Sequence, residues 1–351
     1  MKKIAFVFVG LGMAIAPVRA VTVTPDDTAR FLAGLSCSEA SPLHEIEGGQ
    51  AWTEHAKFFN NAWRSLEQRQ LSPIRGWVPG KLGGADGKPM FYMFSGPDFL
   101  YASTFFPHAP EYILAGLEPV GPLPDVQKLE KLPDSLANLR KSLDAVLNWS
   151  FFRTKDMKVD FQQTQLSGTL PVLYVFLARQ DCHIDAVEFV AIDKEGKIVS
   201  AQPGSMGVRI RFTRSGEKQV LYYFSTNLAD GDISQKFLSF CVQQGEGVAL
   251  LKAASYLMYH EGFSTIRSTI LAHNKIIVQD DSGIPLKFFD RNVWQLNFEG
   301  VYTAPTTLFK EHYQADLAEI YKGPDIPALK FGFGYQWRPK SSNLMIAVRK
   351  K

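Results

Sequence analysis

Asp280 and Asp281 stand side by side in the stretch QDDSGIP, Gln279 to Pro285, directly behind the apolar run Ile276-Ile277-Val278. Asp-Ser-Gly after hydrophobic residues is how an aspartic protease presents its catalytic carboxylate. That chemistry needs two such loops, because two carboxylates must share one proton. The chain carries no second Asp-Ser-Gly or Asp-Thr-Gly, and Ile284 stands where a small residue is usual. A turn explains the stretch better. Asp and Ser side chains bond backbone N–H groups two residues on, Gly283 is permissive and Pro285 fixes φ. A turn needs only one acid, so the second marks the loop as a candidate site.

Two further groups join it. In FSGPDFLYASTFF, Ser95 and Asp98 follow an aromatic strand and lie beside Phe94, Phe99 and Tyr101. Aromatic faces next to a carboxylate suit sugar rings or other flat, polar-edged ligands, although buried aromatics more often form core. In the run Val248–His260, read as a helix, Lys252, Tyr256 and Tyr259 fall opposite a leucine stripe. A covered Lys252 needs a carboxylate partner, for which Asp280 or Asp281 is the candidate. The expected site is therefore Asp98, Asp280 and Asp281 as catalytic carboxylates, with Phe94, Ser95, Tyr101, Lys252 and Tyr256 binding the ligand. The reaction that suits such acids is hydrolysis of a glycan, one carboxyl protonating the leaving group and another acting as base or nucleophile. The alternative is a non-catalytic ligand-binding or envelope-structural protein. A calcium site at Asp280 and Asp281 lacks the usual spaced acidic loop, so neither a metal nor a cofactor is expected.

The histidines give little. None has a zinc-binding spacing. His55 lies inside an apolar stripe, as a core histidine does. His312 and Asp316 stand four residues apart, as an oriented base or a surface pair would. There is no nucleophile elbow, phosphate loop or dinucleotide fingerprint.

The elements that must position these residues mix helices and hairpins. Helical stripes run over Trp52–Leu66, over the segment capped by Asp134, over the short segment capped by Ser264, and over Thr306–Lys322. Hairpins are expected around Lys194-Glu195-Gly196 and Ser215-Gly216, and VWQLNFEGVY alternates like a half-buried strand. LKFGFGYQWRP and NLMIAVRK look like a closing hairpin. Without a regular βαβ period the class is α+β, antiparallel hairpins packed with amphipathic helices. MFYMFSGPDF (90–99) and VLYYFSTNLAD (220–230) echo each other, each an aromatic strand ending in Phe-Ser and opening into a polar loop. Four prolines in Glu118–Ser135 mark an extended connector. The expected organisation is one compact unit over 21–351, or two packed halves at about 21–125 and 126–351.

Lys2 and Lys3, an apolar run over Ile4–Ala16 and Val18-Arg19-Ala20 form the three parts of a signal peptide, residues 1–20. The expected location is periplasmic or secreted, with no later membrane-spanning segment. The net charge of +3 disappears with Lys2, Lys3 and Arg19. A neutral mature chain without a basic cluster argues against nucleic acid as a partner and leaves a small molecule or glycan. Cys37, Cys182 and Cys241 allow one disulfide with one thiol over. FSGPDF, FFPHAPEY, GLEPVG, LKAASYLM and QDDSGIP resemble segments of a family of exported bacterial proteins with no assigned activity. The resemblance spreads over most of the mature chain and implies export and a single coherent unit, with no catalytic residues to carry over.

Overall fold

The computed structural model describes residues 22–149, 151 and 166–350. The signal segment 1–20 lies outside them. The fold is α+β, built on one ten-stranded sheet. In chain order the strands are β1 Met90–Tyr92, β2 Glu111–Gly116, β3 Cys182–Ile192, β4 Ile198–Ser200, β5 Gly207–Arg214, β6 Glu217–Ser225, β7 Gly247–Leu251, β8 Asn274–Gln279, β9 Trp294–Gly300 and β10 Asn343–Arg349. Their order across the sheet is β4-β3-β5-β6-β2-β1-β7-β8-β10-β9.

The two expected hairpins are present, β3 with β4 and β5 with β6. The sheet is nevertheless mixed rather than antiparallel. Its centre, β6-β2-β1-β7-β8, is parallel throughout. The sequence of these strands explains why. Both faces of each must be buried, so they show near-continuous apolar runs. Along β1, Met90 and Tyr92 enter one core while Phe91 enters the other. Val248 and Leu250 of β7 face the first core, Ala249 and Leu251 the second. Helices Pro25–Leu32, Gln50–Leu66, Leu132–Asn148 and Leu170–Arg179 supply the first layer; Gln235–Gln243, Ser264–His273 and Ala315–Ile320 supply the second.

Three expectations are corrected. The run Val248–His260 is not a helix. Its first part is β7 and its second a 3-10 segment, Ala254–Tyr259. A short buried apolar run has no period that separates the two, and Lys252 and Tyr256 are therefore not helical neighbours. Thr306–Lys322 breaks into a 3-10 segment, Thr307–His312, and a short helix, Ala315–Ile320, with Tyr313 extended between them and half exposed. The closing hairpin does not form. β10 pairs with β8 and β9, while Phe333 and Gln336 make one isolated bridge.

The parallel strands all end at one edge of the sheet, at Tyr92, Gly116, Ser225, Leu251 and Gln279. From β1 the chain moves to β2 on one side; from β7 it moves to β8 on the other. The loops after β1 and β7 thus diverge and leave a crevice between them, the place where open parallel sheets bind ligands. Among the described residues no helix is long and apolar enough to cross a membrane.

Candidate functional site

A cavity of about 340 Å³ occupies this crevice. Its walls come from the loops after four parallel strands. The loop after β1 gives Phe94 to Asp98, that after β2 gives Leu117 and Glu118, that after β6 gives Thr226 to Leu228, and that after β7 gives Lys252 to Ala254. Tyr92, Gly116, Leu257, Phe263, Phe151 and Tyr335 complete the lining. The sequence echo is thereby accounted for. Both its copies are parallel strands, β1 and β6, whose trailing loops meet the same cavity.

The backbone is forced in the loops after β1 and β7, which flank the crevice. Phe94 (φ 61°) and Ala253 (φ 59°) both occupy the left-handed region, where a non-glycine residue costs on the order of 1–3 kcal/mol. Phe94 is held by an edge-on contact with Phe263, ring centroids 5.8 Å apart. Gly116 lets the loops after β1 and β2 touch, since a Cβ there would lie 2.8 Å from Gly96 Cα.

Asp98, from the loop after β1, and Lys252, from the loop after β7, meet in the cavity lining. Lys252 Nζ lies 2.8 Å from Asp98 Oδ2, and each side chain is 2% exposed. Tyr92 OH donates to the same oxygen at 3.0 Å. Asp98 Oδ1 accepts the Tyr101 N–H at 3.2 Å and so caps helix Phe99–Phe105. The ring of Tyr101 lies 3.7 Å from Lys252 Nζ, a cation–π contact. Burial pulls the Lys252 ammonium below its usual range, opposed by the charges of Asp98 and Asp280. Burial also pushes the Tyr92 phenol well up, with Asp98 adding to it. The partner of Lys252 is thus Asp98 rather than Asp280 or Asp281.

The acidic turn sits beside this ion pair, not in the cavity. Gln279, the last residue of β8, closes it by donating to Ile284 O (2.7 Å) and accepting the Ile284 N–H (3.0 Å). Asp280 Oδ1 accepts the Ser282 N–H at 3.0 Å and the Ser282 hydroxyl. Asp281 accepts Asn343 Nδ2 at 2.8 Å and the Tyr256 hydroxyl. Its carbonyl takes the Tyr259 hydroxyl at 2.5 Å. The two acids line a space of about 10 Å³, room for about one water. Burial and the neighbouring Asp281 raise Asp280 to about 8, and burial raises Asp281. Gly334 packs onto Asp280; a Cβ at that φ of +65° would fall 1.6 Å from its Oδ2. The next residue, Tyr335, is a cavity wall, so the acid pair supports the wall from behind.

Of the expected site residues, Phe94, Ser95, Asp98 and Lys252 line the cavity. Tyr101 is buried beneath Lys252, and Tyr256 belongs to the acid cluster with Asp280 and Asp281. Tyr92, Glu118, Asn227, Phe263 and Tyr335 were not anticipated. The aromatic echo was the signal that pointed to Thr226–Leu228. Elsewhere, His55 is a core histidine, fully buried, with Nε2 2.8 Å from Leu32 O and its pKa lowered by burial to about 4. His312 stacks on Tyr256 and lies tilted against Tyr259, while Asp316 Oδ1 accepts the Leu317 N–H; the two make no pair. The disulfide does not form, since Cys37, Cys182 and Cys241 are all free and buried. Among the described residues no group of three or more His, Cys, Asp or Glu is arranged to hold a metal ion.

No protein-family model matches the chain, and no curated protein matches it in sequence.

Proposed function

We propose that this protein binds a small, largely apolar molecule in the cavity at the C-terminal edge of its parallel strands. The ligand's one polar group meets the Lys252–Asp98–Tyr92 cluster. The observation that carries the reading is the convergence of four strand-end loops on one aromatic-walled cavity with a buried ion pair in its lining. Apolar walls with a few convergent polar groups are what small-molecule sites have. The strained Phe94 and Ala253 agree with it, because such backbone clusters at ligand clamps.

Binding is favoured over glycan hydrolysis by the state of the acids. Hydrolysis needs two carboxyls ~5–10 Å apart across a cleft, one able to protonate the leaving group. Of the expected acids, Asp98 already accepts from Lys252, Tyr92 and the Tyr101 N–H, and Asp280 and Asp281 do not line the cavity; Glu118 is the one other carboxylate among the lining residues. Export to the periplasm or medium, by way of residues 1–20, belongs to the same proposal and rests on their three-part pattern. The N-terminal residue of the protein recovered from cells checks that part.

The test of binding is a thermal-shift screen of aromatic alcohols, short fatty alcohols and oligosaccharides. A ligand at 100 times its Kd stabilises by about 2.7 kcal/mol, which raises Tm measurably. Shifts with the apolar compounds and none with sugars are expected. Shifts with sugars alone would overturn the reading.

A further inference from the structure

Lys252 belongs to the lining of the cavity, and its amine is buried against Asp98. The residue is 2% exposed and leaves β7 just before the strained Ala253. Ordinary surface lysines are hydrated ammonium groups on mobile stems, whereas a desolvated lysine can act as a nucleophile toward carbonyl groups. Three features here fit that chemistry. A proton acceptor, Asp98 Oδ2, lies 2.8 Å from Nζ. The Tyr92 hydroxyl is bonded to that same oxygen at 3.0 Å, so a second group on the acceptor can adjust as its charge changes. Apolar walls, Phe94, Leu228 and Phe263 among them, surround the space beside the amine, and exclusion of water favours a step that releases it.

We propose that the cavity takes an apolar aldehyde or ketone and holds it as a Schiff base on Lys252. This deepens the binding reading above and rests on it. The ammonium first passes a proton to Asp98. The Nζ lone pair then adds to the carbonyl carbon, and the π electrons move to oxygen, which takes that proton back. The resulting carbinolamine loses its hydroxyl with the second nitrogen proton as water. One carbonyl compound and one ammonium thus become one protonated imine and one water, with the charge of +1 unchanged. The iminium stays beside the Asp98 carboxylate, which balances it as it balanced the ammonium. Burial, which pulls the Lys252 pKa down, eases the first proton transfer.

The test uses the full chain, benzaldehyde as the carbonyl probe and sodium cyanoborohydride to trap the imine as a secondary amine. Peptide mapping by mass spectrometry then locates the label. Benzyl alcohol, which has the same body and no carbonyl, reports occupancy of the cavity by thermal shift. Labelling of Lys252 at least tenfold above every other lysine, suppressed by benzyl alcohol, is expected. Lys252→Arg keeps the charge beside Asp98 without a primary amine, and is expected to lose the label while its own thermal melt reports that it folds. If benzyl alcohol shifts the wild type but the label spreads over other lysines and spares Lys252, the Schiff-base inference fails and the cavity reading stands. If neither a shift nor a Lys252 label appears, both fail. Because the wild-type map names the labelled lysine directly, the result holds even where the variant does not fold.

Discussion

At the scale of single residues, Asp98 serves three buried partners at once. It balances a buried ammonium, accepts a phenol and caps a helix. Removing one charge of a buried pair leaves the other uncompensated, typically at about 3–5 kcal/mol. Asp98→Asn should therefore lose about that much stability in urea, and Asp98→Asn with Lys252→Met should recover most of it; a double variant no better than the single would show that the pair is not what matters. The acid turn gives a second prediction, with its sign fixed by linkage. Asp280 keeps its proton in the folded state up to about pH 8, whereas an unfolded Asp loses it near 3.9. Between those values the native state binds more protons, so this contribution is complete below the unfolded pKa and is lost as pH rises through the folded one. Asp280 by itself should lower wild-type stability from about pH 4 to 8, by at most ~1.4 kcal/mol per pH unit, while His55, kept neutral by burial, acts in the opposite sense below its unfolded pKa. The stability difference between wild type and Asp280→Asn should move against wild type as pH rises over this range, while Asp281, also raised by burial, keeps its own contribution in both, as urea melts at successive pH values would show. The acids, the lysine and the aromatic loop were all legible in the sequence, because a buried charge and a doubled acid in a turn are departures from what a turn or a core requires. Their pairing was not. Lys252 and Asp98 are brought together by two strands far apart in the chain, and no local pattern encodes which loop meets which.

At the scale of elements, the cavity walls depend on how the loops are tied to the helices behind them. Asp230, just beyond the wall residue Leu228, accepts from Ser264 N (3.0 Å), Ser264 Oγ (2.7 Å) and Thr265 N (3.0 Å). It thereby caps helix Ser264–His273 from another loop and fixes the entry of Phe263, the opposite wall. These hydrogen bonds, that from Ser264 first, hold the carboxyl below its usual range. Asp230→Ala should cost about 0.5–2 kcal/mol at neutral pH, the range of a lost cap. Because the folded pKa is depressed, the wild-type advantage is present above the unfolded pKa and should vanish as pH falls through the folded one. An undiminished advantage at low pH would contradict the capping role. Ser264 had been read as the cap of this helix; the carboxylate that does the capping lies 34 positions earlier, beyond the reach of a local signature. Hairpins and two-sided amphipathic helices were legible because their periods are local. β7 was misread because a fully buried parallel strand shows no alternation, and the expected closing hairpin failed because β10 finds β8 and β9, partners that local sequence does not reveal.

At the scale of the whole molecule, β1 and β2, from before the proline-rich connector, lie between β6 and β7, from after it, in one sheet. Two hydrophobic layers cover it, and a core of this size does not need disulfides to persist. All three thiols are free and buried, Cys182 pushed up by burial to about 12 and the other two higher still. Reductant should leave Tm unchanged, and a thiol reagent should react only as the protein unfolds; a fall in Tm with reductant would reveal a bridge. The mixed topology also gives the function its place, since only a parallel centre gathers several loop ends at one edge. The measurement that tests this most directly is a calorimetric titration of wild type and Ala254→Trp with benzyl alcohol. Ala254 lines the cavity and carries no charge, so the indole fills the space while leaving Lys252 and Asp98 in place. Saturable binding to wild type and none to a folded Ala254→Trp is the expected result; equal binding to both would place the ligand elsewhere and contradict the account.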